Sequence, residues 1–158
     1  MWPNYNPDLP WVSPNSDITS PEWATARKVR RAMAIAIDRE AIVANMLQGF
    51  GRPLTLKDWM GFEDRLPSPE EAWPYDPARA KSLLAEAGYP NGFKATLTTA
   101  IRGAPSEVES CEAVAQYWDA IGIDVDFQRI PYGTYRPTAV ARTYEGMSCH
   151  NVGPRLSP

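Results

Sequence analysis

Apolar positions recur at helical spacing along some stretches of the chain and alternate along others. Trp23, Ala26, Val29, Met33, Ala36 and Ile37 keep a helical period behind Ser20 and Pro21, a capping residue followed by proline at the first helical position. Asp38 opens a second helix with Ala41, Ile42, Met46 and Leu47 inward, and Gly49-Phe50-Gly51 stops it. From Pro74 to Phe93 the punctuation is denser. Asp76 caps, Pro77 starts, Ala80, Leu83, Leu84 and Ala87 form the stripe, and Gly88 with Pro90 ends the helix. Asn91-Gly92 then turns the chain into Phe93–Thr98, which alternates like a strand. A strong helix is predicted over 105–121, ended by Gly122, a strand over 124–130, a helix over 132–142 with Pro137 inside it, and a strand over 144–150. Strand, helix, strand at this spacing predicts a parallel pair with a right-handed crossover.

Two regions lack a period. Residues 1–20 are rich in Pro, Asn and Ser and read as an extended segment outside the core, leaving 21–158 as one α/β unit. Residues 52–73 hold Trp59, Gly61 and Pro67 and read as a long ordered loop, a kind that often carries function.

Composition narrows the classes. A chain of 158 residues with 44% hydrophobic and 22% charged side chains has room for one domain with its own core. A net charge of −3 speaks against a nucleic-acid surface. No stretch of about 18 apolar residues is present to span a membrane, and Met1-Trp2-Pro3 lacks the basic-then-apolar start of a signal peptide. The basic run Arg27-Lys28-Val29-Arg30-Arg31 reads as a solvated helix face, because Val29 needs the inner side.

Candidate chemistry is sparse. One histidine, His150, makes no metal cluster and leaves a catalytic pair only one base. Glu107, Glu109 and Glu112 open a helix, where carboxylates favour the positive end of the dipole, and this outweighs a catalytic pair. Cys111 lies on the stripe Val108, Cys111, Ala115, Trp118 and reads as a buried free thiol; a bridge to Cys149 is the lesser alternative. Tyr132, Tyr135, Trp59 and Trp73 have the chemistry to line a cleft, although aromatics in a domain of this size are more often core. No cofactor is expected.

Several motifs in order resemble one family. Val29–Gly51, reading VRRAMAIAIDREAIVANMLQGFG, is followed by a Pro-rich loop, then YDPARAKSLLAEAGYPNGF, then AIGIDVDFQRI. Together they are similar to the family-5 extracellular solute-binding proteins, the peptide- and nickel-binding components of ABC importers. The resemblance covers roughly residues 27–151. It implies an α/β fold: one lobe, the second, of a type II periplasmic-binding-protein clamshell, with a small mixed or parallel sheet flanked by helices. It also implies that the chain is an excised or truncated part of a longer, two-lobed protein. The implied partners are a small solute (an oligopeptide, a nickel chelate or a sugar) and, through the full-length protein, a membrane permease. The implied place is extracellular or periplasmic, membrane-tethered in the full-length protein, with no nucleic acid and no enzymatic activity. A ligand-sensing domain of a regulator is the alternative, and a hydrolase with His150 as base ranks last.

Ligands of α/β sheets sit beyond the C-terminal ends of the strands. This rule points to Thr99, Ala100, Ile101 and Arg102 after the first strand, Tyr132 after the second, and His150 and Asn151 after the third. Arg102, Tyr132, His150 and Asn151 are the candidate ligand-binding residues. Family members usually carry Gly-Trp-Gly or a relative after the last strand, where this chain reads Ser148-Cys149-His150-Asn151-Val152-Gly153.

Overall fold

A computed structural model describes residue 6, residues 8–54 and residues 65–151. Among them the chain forms helices α1 (Pro21–Ile35), α2 (Arg39–Asn45), α3 (Pro69–Ala72) and α4 (Pro77–Glu86). Strand β1 (Phe93–Ile101), helix α5 (Glu107–Asp119), strand β2 (Ile123–Pro131), helix α6 (Tyr132–Ala141) and strand β3 (Met147–Cys149) follow. Trp59, Gly61, Val152 and Gly153 lie outside the described residues.

Local chemistry sets the helix ends. The Asp76 carboxylate accepts from the Arg79 amide at 2.8 Å and starts α4. Its end is a Schellman motif: Tyr89 N–H donates to Leu84 O at 2.9 Å and Gly88 N–H to Ala85 O at 3.0 Å, with Gly88 at φ +91°. Helix α3 is a single turn within the stretch read as loop. Ser68 and Glu71 cap it reciprocally, each side chain accepting from the other residue's amide.

The three strands lie in the order β2-β1-β3, and both pairings are parallel. The chain steps one way from β1 to β2 and the other way from β2 to β3, so crossovers of one hand put α5 and α6 on opposite faces. The strand alternation agrees. Ala95 and Leu97 of β1 and Met147 of β3 join the main core with Trp118 of α5, whereas Ala100 packs with Tyr135 of α6 and Tyr144. Two turns in front of the sheet admit only glycine. A Cβ on Gly92 (φ +73°) would stand 1.7 Å from Gly122 O, and one on Gly146 (φ +66°) 2.1 Å from Thr96 O.

Helices α1 and α4 pack together and complete the main core with Val29, Ala32, Met33, Ala80 and Leu84. The last carbonyls of α1 accept from groups outside the helix, two of them distant in sequence. Trp118 Nε1 donates to Met33 O at 2.9 Å, Asp76 N to Ile35 O at 2.9 Å and Arg39 Nη1 to Ala34 O at 3.0 Å.

Three expectations change. Trp11, within the segment read as lying outside the core, is 3% exposed and sits in the main cluster, its ring 5.9 Å from that of Phe93. The basic run of α1 is not simply solvated. Arg30 donates to Trp11 O at 2.7 Å and lies over the Trp23 ring, while Arg31 donates to Ala72 O and lies over Trp73. The inward face of α2 is only half-buried, with Ile42 at the margin of the core.

Candidate functional site

Parallel strands carry their loops at one end of the sheet, and the four candidate residues follow three different strands there. Adjacent β1 and β2 end in register, Ile101 opposite Pro131. From that end β1 leaves toward α5 and β2 toward α6, on opposite faces. With the order β2-β1-β3 the strand order reverses between β1 and β3, and that junction is the switch point at which open α/β sheets form a crevice. Arg102 and Tyr132 are the first residues past β1 and β2.

The structure brings all four together. The Arg102 guanidinium lies 4.5 Å above the Tyr132 ring centroid, and its Nη1 donates to Asn151 O at 3.0 Å. The His150 ring stands 6.1 Å from Tyr132 and 6.5 Å from Tyr135. Arg102 and Asn151 are exposed, and Tyr132 and His150 half-buried, so the cluster is an open edge with an aromatic floor. A guanidinium over a phenol ring presents its remaining N–H groups in a plane suited to a carboxylate. Burial pushes the His150 imidazole below its usual range, and the Arg102 charge adds to the effect. The neutral ring offers a donor and an acceptor. Of the remaining candidates after β1, Thr99 and Ala100 are fully buried in the sheet. Tyr135 is core, its ring 5.6 Å from that of Tyr144. Trp73 lies against Arg31, away from this edge.

Two parts of the edge differ from the sequence reading. Cys111 is not a free thiol: it is bridged to Cys149, with Cα atoms 5.9 Å apart, and no free cysteine remains. Both residues face the same layer, Cys149 from β3 and Cys111 from α5, and the stripe that suggested burial also aimed the sulfur at the sheet. Glu107 stands in the first turn of α5, as its sequence position implies, but it is 6% exposed and bonded to the loops of the edge. Its Oε2 accepts from Arg102 N at 2.7 Å and Gly103 N at 3.1 Å, and its Oε1 from Asn151 N at 2.7 Å. Burial opposes its ionisation. The amides of Asn151, Arg102, Gly103 and Ala104 outweigh burial and hold the carboxyl below the ordinary range. Glu112, by contrast, pairs with Arg129 on β2. Among the described residues no group of His, Cys, Asp and Glu side chains is arranged to hold a metal ion.

Comparison with known proteins places this edge in context. Residues 6–157 match the family model of bacterial extracellular solute-binding proteins, family 5, middle region. Heme-binding protein A of Haemophilus influenzae is 35% identical over 119 residues, which is 71% of this chain and 21% of that protein. The structure of HbpA2 from Haemophilus parasuis superposes with a TM-score of 0.66 at 28% identity, over 82% of this chain and 26% of that one. The periplasmic binding protein DppA from Helicobacter pylori, solved in complex with peptide STSA, gives 0.64 at 26% identity, over 78% of this chain and 23% of that one. The chain thus spans about a fifth to a quarter of the length of these relatives. With its small parallel sheet flanked by helices, it belongs to the family-5 extracellular solute-binding proteins.

Proposed function

We propose that this chain forms one half of a ligand cleft in a solute-capture protein of an ABC importer. Arg102, Tyr132, His150 and Asn151 are its contribution to the ligand, and a permease is the partner that receives the solute. The observation that carries the reading is their convergence from three strand ends at the switch point of the sheet. The solute is peptide-like: the edge offers a guanidinium, an aromatic face and a neutral imidazole, which suit a carboxylate, an apolar side chain and a backbone amide. The peptide complex of the Helicobacter pylori relative supports this.

The disulfide favours an oxidising compartment, as an extracellular or periplasmic protein needs, and speaks against the cytosolic sensor of a regulator. A hydrolase is disfavoured because His150 Nδ1 has no hydrogen-bond partner among the described residues, so no nucleophile is paired with that nitrogen. A membrane tether belongs to the same reading of a capture protein.

The test is an amide-resolved NMR titration of the chain with peptide STSA. A clamshell lobe supplies only part of the contacts, so affinity of about millimolar is expected. Shifts should be confined to the edge containing Arg102, Tyr132, His150 and Asn151. Shifts centred instead on the opposite end of the sheet, around Lys94 and Asp124, would refute the assignment, as would cleavage of the peptide.

A further inference from the structure

We infer that Glu107 is a positioning residue for the ligand edge: its buried carboxylate fastens the loop after β1 to the chain leaving β3 and so sets where Arg102 and Asn151 stand. The inference rests on the cleft proposed above.

The geometry is unusual for a residue in the first turn of a helix. Such a glutamate normally faces solvent and offsets the helix dipole. Here the chain enters α5 through Gly103 at φ +90° and Ser106 at φ 54°, and Ser106 makes no capping bond to the helix; its hydroxyl donates instead to Met46 O at 2.7 Å. That path turns the amides of Arg102 and Gly103 back toward the Glu107 carboxylate. One oxygen takes these two amides and the other takes Asn151 N, 44 residues away in sequence. The same carboxylate thus holds the backbones of two candidate ligand residues whose side chains also meet, through Arg102 Nη1 and Asn151 O. Cys111 follows Glu107 by one helical turn and is bridged to Cys149, two residues before Asn151. One face of α5 therefore grips the exit of β3 twice, once by a covalent bond and once by a carboxylate. The second grip alone reaches Arg102.

A glutamine at 107 keeps one accepting oxygen and puts an N–H₂ donor where the other stood, so either the 102–103 pair or Asn151 faces a donor. Hydrogen bonds to a charged group contribute about 1.5–3 kcal/mol, which corresponds to about 10- to 100-fold in an opening equilibrium. Amide hydrogen exchange on the chain carrying Glu107→Gln should show that loss of protection at Arg102, Gly103 or Asn151. The β1–β2 ladder and the Trp118 indole should be unchanged. Unaltered exchange at all three amides would overturn the inference, and so would a loss spread evenly through α5, which would mark an ordinary helix-start residue.

An acid titration of the unsubstituted chain gives a second reading that does not depend on the variant folding. Arg102 at the end of β1, whose amide the carboxylate accepts from, and His150 at the end of β3, whose ring senses its charge, are the charged and titratable candidates facing it. The amide signals of Arg102, Gly103 and Asn151 should move together with one midpoint below that of an ordinary glutamate. Separate midpoints would overturn the shared carboxylate. Peptide STSA, added to both forms, separates the two claims. Weaker shifts at the edge in the variant support positioning of the site, and equal shifts overturn it. A peptide that perturbs neither form counts against the proposed cleft, while the exchange data still decide the role of Glu107.

Discussion

Reducing the Cys111–Cys149 bridge should cost this chain a large part of its stability. The bridge links residues 38 apart. Closing a loop of that length in the unfolded chain removes conformational entropy equivalent to about 4 kcal/mol at 25 °C by the chain-entropy relation. In a chain of this size 1 kcal/mol moves the melting midpoint by about 2–4 °C, so reduction should lower Tm by about 8–16 °C. The strand that the bridge anchors makes the figure plausible from the folded side too. Among the described residues β3 spans only Met147–Cys149 and pairs with Leu97, Thr98 and Thr99, so the bridge is a main anchor of this short strand beside the buried Met147 and the Glu107–Asn151 bond. The assay is thermal unfolding by circular dichroism with and without a phosphine reductant, with the Cys111→Ala/Cys149→Ala double variant as control. Thiol labelling of the untreated, denatured chain should find no reactive cysteine. Two labelled thiols, or a Tm change below about 2 °C on reduction, would refute the reasoning.

Other outcomes follow from the same contacts. Leu84→Ala, at a site 1% exposed between α1 and α4, should cost about 2–5 kcal/mol in denaturant unfolding, whereas Lys81→Ala on the exposed side should stay within about 0.5 kcal/mol. Gly92→Ala should prevent folding or destabilise severely, because its Cβ would meet Gly122 O at 1.7 Å; a soluble variant with an unchanged amide spectrum would contradict this. The Glu107 carboxyl is held below its unfolded value, so its contribution is fully present above about pH 4.5 and is lost as pH falls through the lower folded value. Denaturant midpoints measured from pH 7 to pH 3 should fall in that window, and Glu107→Gln should flatten the fall.

What the sequence disclosed was mostly what neighbouring residues decide among themselves. Asp76, Pro77, Gly88 and the stripe between them act within one turn of their partners, and α4 was legible nearly to the residue. The sheet was legible for a similar reason: alternation in β2 and the spacing of β1, α5 and β2 leave few topologies. Arg102, Tyr132, His150 and Asn151 could be marked because strand ends are local and parallel sheets gather them at one edge. Glu107 could not, since a carboxylate in a first helical turn has a sufficient local explanation, and only the path through Gly103 and Ser106 turns it inward. The Cys111–Cys149 pairing likewise depends on β3 lying over α5, which no spacing encodes. Trp11 was lost among prolines and asparagines, although a large aromatic side chain in a polar stretch is a signal that such a segment folds back on a core.

The end of α1 has a consequence for how the chain folds. A helix leaves its last carbonyls without partners of its own. In α1 no glycine or proline follows to satisfy or stop it. Met33, Ala34 and Ile35 give their carbonyls to the Trp118 indole, the Arg39 guanidinium and the Asp76 amide. The Trp118 donor comes from 85 residues downstream, beyond β1. The boundary of α1 is therefore set partly by distant parts of the chain, beside the local bonds of Ala36 and Ile37. A peptide of residues 20–37 should be largely unstructured in water, since an isolated helix of this length is marginal. In the intact domain the Trp118 bond ties this turn to α5, so the helical layer and the sheet should unfold in one cooperative step.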